Sequence, residues 1–346
     1  MNSDQGGDWH ADGLAGDVET MASALLAIIA DDAAALIGET PLVRLDRLVR
    51  EVRLDAEILI KLEYLNPFGS LKDRPARAMV DALEAEGRIA PERTILVEAT
   101  TGSLGISLAN VAARRGYRLI LTLPDLPSLG PVVKLLGHLG ARVELTAAEL
   151  GIQGARERAR ELVRAVPGAV TTDQFANPIN AAAHEMTAYE IWRDCSGQID
   201  CLIVGIGTGG TLTGCARYLK ARQPALQVIG VEPSASAVIA GDPPGRHGII
   251  GLGPGFVPDV LDLSLIDEIV KVPDTLAVEA ARLTARMENI AGGLSTGANI
   301  AAALTIAARS DMQGRRIVTL APSPAERYCE SMLFDPIDEM DLQRGA

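Results

Sequence analysis

The chain has few of the residues that build metal sites and redox centres, and it has no basic surface for nucleic acids. It has four cysteines and four histidines in 346 residues, and the cysteines show neither Cys-x-x-Cys spacing nor neighbouring histidine pairs. A zinc site or a redox pair is therefore not expected, and the four thiols are predicted to be buried, as suits a reducing cytoplasm. The net charge of −13 leaves no basic stripe for phosphates and excludes a nucleic-acid partner.

Long hydrophobic stretches are also lacking. The apolar run at residues 21–30 has no basic segment before it, is followed by Asp31 and Asp32, and is too short to cross a bilayer. We expect no contact with a membrane. Because the chain is long enough for two domains without this run, we interpret it as a helix that packs on a second subunit of a homodimer.

Short apolar strands alternate with helices from about residue 56 onward. The first series has four predicted strands, at residues 57–63, 94–100, 118–123 and 142–146. Its predicted helices follow them, at residues 74–86, 105–115, 132–138 and 152–166. Further strands are predicted at residues 201–204, 228–231 and 316–320. Continuous apolar strands separated by helices indicate parallel sheets covered on both faces, so the chain is predicted to be α/β with two domains that meet near residues 170–180.

A glycine-rich turn follows the strand at 201–204 and reads Gly-Ile-Gly-Thr-Gly-Gly-Thr at residues 205–211. Glycines let a ligand approach the backbone, and the N–H groups that open the next helix suit a phosphate, with Thr208 and Thr211 as added donors. The turn also fits Gly-x-Gly-x-x-Gly, and Glu232 ends the next strand at the spacing of a dinucleotide site. A phosphate site, a nicotinamide-dependent dehydrogenase and a turn that binds nothing all stay open on this motif.

A second turn, Glu-Ala-Thr-Thr-Gly-Ser-Leu-Gly at residues 98–105, also joins a strand to a helix. Its amides and hydroxyls suit a carboxylate, but threonine and serine are equally common helix caps. The third segment, residues 61–75, makes a turn at Asn66, Pro67, Gly69 and Ser70 and then places Lys72 in the first turn of a helix. The positive end of the helix lowers the pKa of such a lysine and favours the neutral amine that a Schiff base needs. A solvated surface lysine is the alternative.

The third segment resembles the Asn-Pro-Gly-Gly-Ser-x-Lys-Asp-Arg motif of the cysteine synthase family, which are pyridoxal-phosphate (PLP) enzymes of fold type II. The resemblance runs from residue 37 to about residue 334 and follows the family's order. After the lysine motif and the threonine-rich loop come five further motifs, at residues 174–178, 184–187, 207–211, 251–256 and 293–297, and then Glu-Arg-Tyr at 326–328. A nicotinamide-dependent dehydrogenase would leave the motifs in the first half of the chain without an explanation.

The resemblance implies a fold, a cofactor and a role for each matching residue. The fold would be α/β, with two three-layer αβα domains like those of the tryptophan synthase β chain. Lys72 would be the catalytic residue, holding PLP and later shuttling the α-proton. The cofactor would further contact Ser103, Gly207, Thr208, Gly209, Gly210, Thr211 and Ser323. The amino-acid substrate would contact Thr100, Thr101, Gly102, Leu104, Gln174 and Gly251.

The resemblance also implies a division of the chain. Five parts are expected: a tail and helix at 1–35, a segment at 36–60 packed on the C-terminal domain, an N-terminal α/β domain at 61–175, a C-terminal α/β domain at 176–335, and a tail at 336–346.

Three positions of the predicted site depart from the family's pattern, and Phe68 in place of the motif's first glycine is a lesser change. Ser103 stands where an asparagine contacts the phenolic oxygen of the cofactor, and Leu104 stands where a threonine hydroxyl serves the substrate. Pro324 stands where the resemblance places a hydroxyl against the pyridine nitrogen, and a proline has no such donor. Ser323, one residue away, is expected to replace it.

The implied reaction is β-replacement on an O-activated L-serine, O-acetyl- or O-phosphoserine, through an aminoacrylate. Sulfide giving cysteine is the family's usual reaction. An amine nucleophile, as in enzymes that make precursors of 2,3-diaminopropionate, is the first alternative. The second is a catalytically weakened homologue that acts by binding a partner.

Overall fold

The computed structural model describes residues 29–336. Most of the apolar run at 21–30 and nearly all of the predicted tail at 336–346 lie outside the described residues. The homodimer contact predicted for the run stays a prediction.

Ten strands form two sheets in the described part of the chain. They are β1 (Leu42–Arg44), β2 (Glu57–Lys61), β3 (Ile95–Ala99), β4 (Arg118–Pro124), β5 (Arg142–Thr146), β6 (Ala169–Thr171), β7 (Cys201–Gly205), β8 (Gln227–Pro233), β9 (Glu268–Val272) and β10 (Arg316–Leu320). One sheet has the order β5-β4-β3-β6 and the other β1-β2-β10-β7-β8-β9. All neighbours are parallel except β1 and β2, whose pairing is antiparallel.

Ten α-helices cover the sheets within the described residues. They are α1 (Asp46–Glu51), α2 (Asp73–Ala85), α3 (Ser103–Arg115), α4 (Gly130–His138), α5 (Gly151–Ala165), α6 (Ile179–Ala183), α7 (Glu185–Asp194), α8 (Gly210–Lys220), α9 (Asp274–Glu288) and α10 (Leu294–Ala307). The four-stranded sheet has one core shared with α2, α3 and α4 and another shared with α5. The six-stranded sheet likewise lies between α9 and α10 on one face and α7 and α8 on the other. Each sheet is thus the middle of an αβα sandwich.

The pattern of apolar residues explains both kinds of element. Helix α5 buries Ile152, Ala155, Ala159 and Leu162, a spacing that puts one stripe on the sheet. In β7 the residues from Cys201 to Val204 are all buried, as expected for a parallel strand covered on both faces. No helix among residues 29–336 is both long and apolar enough to cross a membrane.

Among the described residues, three strands and five helices were not predicted from the sequence: β1, β6, β9, α1, α6, α7, α9 and α10. Strand β1 and helix α1 lie in the predicted 36–60 segment, where β1 and β2 extend the six-stranded sheet from β10. The limits of the five predicted parts stay a prediction.

Parallel strands bring their carboxyl ends to one edge of a sheet, and ligands bind there in open α/β folds. Here the segments that follow β3, β7, β8 and β10 all line one cavity between the two sheets.

Candidate active site

The cavity has a volume of about 800 Å³ and collects nearly all the residues that the sequence singled out. The predicted site residues that line the cavity are Lys72, Thr100, Thr101, Gly102, Ser103, Leu104, Gln174, Gly207, Thr208, Gly209, Thr211, Gly251 and Ser323. Gly210 is buried just behind the wall. The structure therefore brings together three turns that are far apart in the sequence.

Lys72 immediately precedes α2 and lies opposite the glycine-rich turn. Its Nζ is 3.5 Å from Oγ1 of Thr208. The preceding amide, Leu71 N–H, donates to the carbonyl of Pro322 at the end of β10. Burial lowers the pKa of Lys72 to about 8. The sequence attributed a lowered pKa to the helix end, but loss of solvation is the main cause in the structure.

The turn at 207–210 has no room for side chains on three of its glycines. A Cβ on Gly207 would lie 2.3 Å from the carbonyl oxygen of Gly251, and one on Gly210 would lie 2.2 Å from Oδ1 of Asn180. Gly209 has a φ of +81°, which L side chains rarely adopt. Helix α8 begins at Gly210, so its unpaired N–H groups point at this end of the cavity.

The two threonines of the turn are held from behind by polar side chains. Asn180 donates to Thr208 Oγ1 at 3.0 Å. His184 lies between Thr211 Oγ1 and Thr187 Oγ1, each 3.2 Å from a different ring nitrogen. Burial and the nearby charge of Lys72 hold the pKa of His184 well below its usual range, so the ring is neutral. A neutral ring carries one N–H, so it donates to one threonine and accepts from the other.

The turn after β3 is fixed by the hydroxyl of Thr100. Its Oγ1 accepts from Gly102 N–H at 3.0 Å and from Gly105 N–H at 3.2 Å. Gln174 is tied to the same strand end, because its Nε2 donates to the Ala99 carbonyl at 2.6 Å. These bonds leave the amides at the start of α3 directed at the cavity, as a carboxylate site requires.

Glu98 is a buried carboxyl below this turn that the sequence did not single out. It accepts hydrogen bonds from the hydroxyl of Thr172 and from its neighbour Ala99 N–H. Burial raises its pKa to about 7, with a further contribution from the negative charge of Asp173. Glu98 does not line the cavity, so its hydrogen bonds stabilise the turn and do not contact a ligand.

Ser103 begins α3 and meets an arginine from the other end of the chain. Arg327 donates from Nη1 to Ser103 Oγ at 3.1 Å and from Nη2 to the carbonyl of Phe68. Both side chains line the cavity. No role was predicted for Arg327, although it belongs to the Glu-Arg-Tyr motif.

Ser323 lies in the cavity wall as expected, but its hydroxyl already has a partner. Ser323 Oγ is 2.7 Å from the phenolic oxygen of Tyr328. Pro324 makes a β-bridge with Gly292, which packs this segment beside the start of α10. Ser295, in the first turn of α10, lines the same wall and is a second hydroxyl that could serve a ring nitrogen. The Gly-Leu-Ser-Thr-Gly motif at 293–297 is the sequence signal from which a cofactor contact of Ser295 could have been predicted.

Beside the cavity, the guanidinium of Arg156 packs against two aromatic rings. The guanidinium carbon of Arg156, on α5, lies 4.9 Å from the ring centre of Phe175 and 4.5 Å from that of Phe256. Phe256 ends the loop that starts at Gly251. Helix α5 thereby fastens the loop that covers the cavity.

Two further expectations from the sequence can be compared with the structure. Glu232 is not free to bind a ribose, because its carboxylate accepts from the backbone N–H groups of Ile239 and Ala240. The prediction of four buried thiols is wrong for Cys329, which is exposed in the turn after β10; the other three are buried.

Comparisons with known proteins agree with this geometry. A family model described as pyridoxal-phosphate dependent enzyme matches residues 33–323. A Caenorhabditis elegans protein named cysteine synthase 3 is 42% identical over 311 residues, which are 90% of this chain and 91% of that protein.

Solved structures give the same result for the fold. The cysteine synthase of Entamoeba histolytica superposes with a TM-score of 0.86 at 36% identity, covering 91% of this chain and 93% of that one. A structure of O-ureido-L-serine synthase has a TM-score of 0.85 at 37% identity, covering 92% and 100%. The predicted fold class is confirmed.

Proposed function

The chain belongs to the family of pyridoxal-phosphate dependent enzymes, and we propose that it catalyses β-replacement on an O-activated L-serine, with O-acetylserine as the first candidate. One observation carries the proposal. A lysine with a lowered pKa faces a glycine-rich cradle across a cavity, and the wall between them is a turn suited to a carboxylate.

The residues present fit PLP. The cradle at 207–211 can form only with glycines at Gly207 and Gly210, because a Cβ there would meet the Gly251 carbonyl and Asn180, and the N–H groups at the start of α8 suit a phosphate. Lys72 supplies an amine that is largely neutral above pH 8, as bond formation to an aldehyde requires. Ser103, Ser295 and Ser323 supply hydroxyls along the wall. When bound, the cofactor provides the electron sink for charge that develops at the substrate α-carbon.

The chain's own residues hold the substrate and move its proton. Thr100, Thr101 and Gln174 would hold the substrate carboxylate at the start of α3. Lys72 Nζ would take the proton from the α-carbon while the acetate leaves the β-carbon. The incoming nucleophile then forms its bond to that β-carbon, and Lys72 returns a proton to the α-carbon. Arg156 and the loop from Gly251 would keep water out while this happens.

Sulfide is the first candidate nucleophile, because the curated relative and the Entamoeba structure are both named cysteine synthases. A second candidate is another nucleophile, such as an amine or a hydroxyurea. The solved O-ureido-L-serine synthase has about the same identity to this chain as the Entamoeba enzyme. Leu104 favours it, since this side chain lines the cavity without a hydroxyl.

The test uses the purified protein with O-acetylserine or O-phosphoserine and a panel of sulfide, hydroxyurea, L-glutamate and L-homocysteine, with products identified by mass spectrometry. Borohydride reduction followed by peptide mapping should place the cofactor on Lys72, and Lys72→Ala is the control. A catalytically weakened homologue would retain the cofactor on Lys72 and yet release neither acetate nor phosphate. A label on any other lysine would contradict the assignment.

A companion variant asks whether Leu104 selects the nucleophile. Leu104→Thr introduces a hydroxyl at the cavity wall and should change the order in which the four nucleophiles are used. An unchanged order would show that the wall at this position has no part in the choice.

We also propose that the enzyme works as a homodimer in the cytoplasm. Its cysteines are unpaired in the described part of the chain, which suits a reducing compartment. Sedimentation of the full chain beside a chain without residues 1–33 tests the assembly. We expect weaker association in the shortened chain.

A further inference from the structure

Arg327 is a cation in the cavity wall that has Asp73 and Glu326 nearby but no carboxylate in direct contact within the described residues. Within residues 29–336 its guanidinium makes no ion pair, and its hydrogen bonds go to Ser103 Oγ and to the carbonyl of Phe68. Burial lowers its pKa. A partly buried charge without a counter-ion is unfavourable, so an anion in the cavity would stabilise this arrangement.

The backbone around Lys72 is shaped to admit this arginine. A Cβ on Gly69 would lie 2.7 Å from Nη2 of Arg327, and Gly69 has a φ of +81°. The N–H of Phe68 donates to Asp73 at 2.7 Å while its carbonyl accepts from Arg327. The backbone of Phe68, four residues before Lys72, is therefore held on both sides, by Asp73 of α2 and by Arg327.

The contact with Ser103 determines what that hydroxyl can do. A serine hydroxyl has one hydrogen to donate and two lone pairs. Arg327 occupies one lone pair of Ser103 Oγ at 3.1 Å, so the hydroxyl hydrogen can be donated to an acceptor. The phenolic oxygen of Tyr328, which also hydrogen-bonds with Ser103, competes for that hydrogen with an anionic oxygen in the cavity. A charged donor also polarises the hydroxyl, and hydrogen bonds that involve a charge are about twice as strong as neutral ones.

We propose that Arg327 acts through Ser103 as a positioning residue for an anionic oxygen of the bound cofactor, the phenolic oxygen on its ring. The inference rests on the proposed function, which puts Ser103 beside that oxygen. In this arrangement the charge of the guanidinium strengthens the donor that the short serine offers. The Ser103–Arg327 pair thus replaces a longer side chain that would reach the oxygen unaided.

Four titratable groups surround the pair, and each enters the interpretation of a pH titration. Lys72 lines the same cavity, and Asp73 on α2 has its pKa raised to about 6 by burial. Glu326 is the charged neighbour of Arg327 in the 3₁₀ turn. Tyr328, whose pKa is raised by burial, hydrogen-bonds with Ser323 and also with Ser103. Asp73 is largely ionised above pH 7, so measurements between pH 7 and 10 avoid its titration.

The experiment follows the visible absorption of the lysine-bound cofactor in the holoenzyme against pH, in a double-mutant cycle of Arg327→Gln and Ser103→Ala. The cation favours the deprotonated oxygen, so Arg327→Gln should raise the midpoint of the spectral change. One strong hydrogen bond corresponds to a shift of about one pH unit. In the Ser103→Ala background the same substitution should shift the midpoint by less than about a third of that, because no hydroxyl remains to transmit the charge.

Matched variants separate this role from others. Arg246→Gln removes an exposed arginine elsewhere in the cavity lining and should leave the midpoint unchanged. Arg327→Lys keeps the positive charge but replaces the forked guanidinium by a single ammonium group. We therefore expect a smaller shift of the midpoint than in Arg327→Gln, and this shift should also depend on Ser103. It replaces Arg327→Gln if that variant does not fold.

The possible outcomes are distinct. Equal shifts in both backgrounds would show that Arg327 acts directly through space, and no shift in either would remove its role; each overturns the inference. A wild type that carries no cofactor on Lys72 would instead refute the proposed function on which the inference depends.

Discussion

A cluster of four buried charges anchors the helix that follows Lys72, and Glu190→Gln is the sharpest test of it. Arg74 donates to both oxygens of Glu63, each at 2.8 Å, and to both oxygens of Glu190, at 2.7 and 2.8 Å. Lys61 Nζ lies 2.8 Å from Glu190 and 2.5 Å from the carbonyl of Thr40. All four charged side chains are at most 4% exposed. Two positive and two negative charges balance, so the cluster as a whole is neutral.

The size of the effect follows from the pKa of Glu190. Burial alone would raise this pKa, but bonds and charges from Arg74 and Lys61 outweigh it and lower the pKa from 4.5 to about 2. A difference of about 2.5 units corresponds to about 3 kcal/mol, at 1.36 kcal/mol per unit. Breaking a buried ion pair by removing one partner costs about 3–5 kcal/mol in other proteins. We therefore expect Glu190→Gln to lower the free energy of unfolding by about 3 kcal/mol at pH 7.

The pH dependence gives the prediction its sign. A carboxylate with a lowered pKa in the folded state stabilises fully above the unfolded value, near 4.5, and loses that stabilisation as the pH falls through the folded value, near 2. The difference between wild type and Glu190→Gln should therefore shrink by about 1.4 kcal/mol for each pH unit below 4.5.

Urea unfolding of the cofactor-free protein at several pH values measures this difference. Glu161→Gln is the control: its side chain is 53% exposed in a pair with Arg158, so its removal should cost less than about 1 kcal/mol. A loss below 1 kcal/mol for Glu190→Gln, or a loss that does not change with pH, would refute the reasoning.

Three further predictions concern the cavity and the thiols. Gly207→Ala puts a Cβ 2.3 Å from the Gly251 carbonyl and should weaken cofactor binding by about tenfold or more in a fluorescence titration, whereas Gly137→Ala, with open space around its Cβ, should not; equal affinities would contradict the cradle. In the cofactor-free protein, acetylation of Lys72 should have its midpoint near pH 8, because burial disfavours the ammonium form. A midpoint near 10.5 would mean a solvated amine. A disulfide reagent should modify Cys329 alone in the native protein and all four cysteines after unfolding, and a second reactive native thiol would contradict the burial of the others.

Several periodic segments were predicted from the sequence, whereas elements of one or two turns and the longer helices α7, α9 and α10 were not. The strand predicted at 201–204 and the helix predicted at 152–166 agree with β7 and α5 within about one residue. By contrast, β1 has three residues and α1 has six, too few to show a period. Strand β9 was not predicted, because it lacks the continuous apolar run of β7, and none of its first four residues is buried.

The resemblance to the cysteine synthase family identified which residues meet in the cavity, because the family's motifs occur in this chain in the same order. It could not give the state of those residues. The pKa of Lys72 depends on how deeply its side chain is enclosed, and that enclosure comes from segments 30 to 250 residues away, among them Thr100, Thr208 and Pro322. No local pattern around residue 72 carries that information.

The departures from the family's motifs show the same limit more clearly. Compared one position at a time, Ser103 and Pro324 are losses, since each removes a group that the motif supplies. In the fold, Ser103 is paired with Arg327, which is 224 residues away, and Ser323 is paired with Tyr328. Ser103→Asn therefore does more than restore the amide of the family's motif. The longer asparagine side chain must fit beside Arg327 and would accept the hydrogen bond that Arg327 now donates to Ser103. We expect it to shift the spectrum of the cofactor and to reduce the effect of Arg327→Gln, since an amide brings its own N–H.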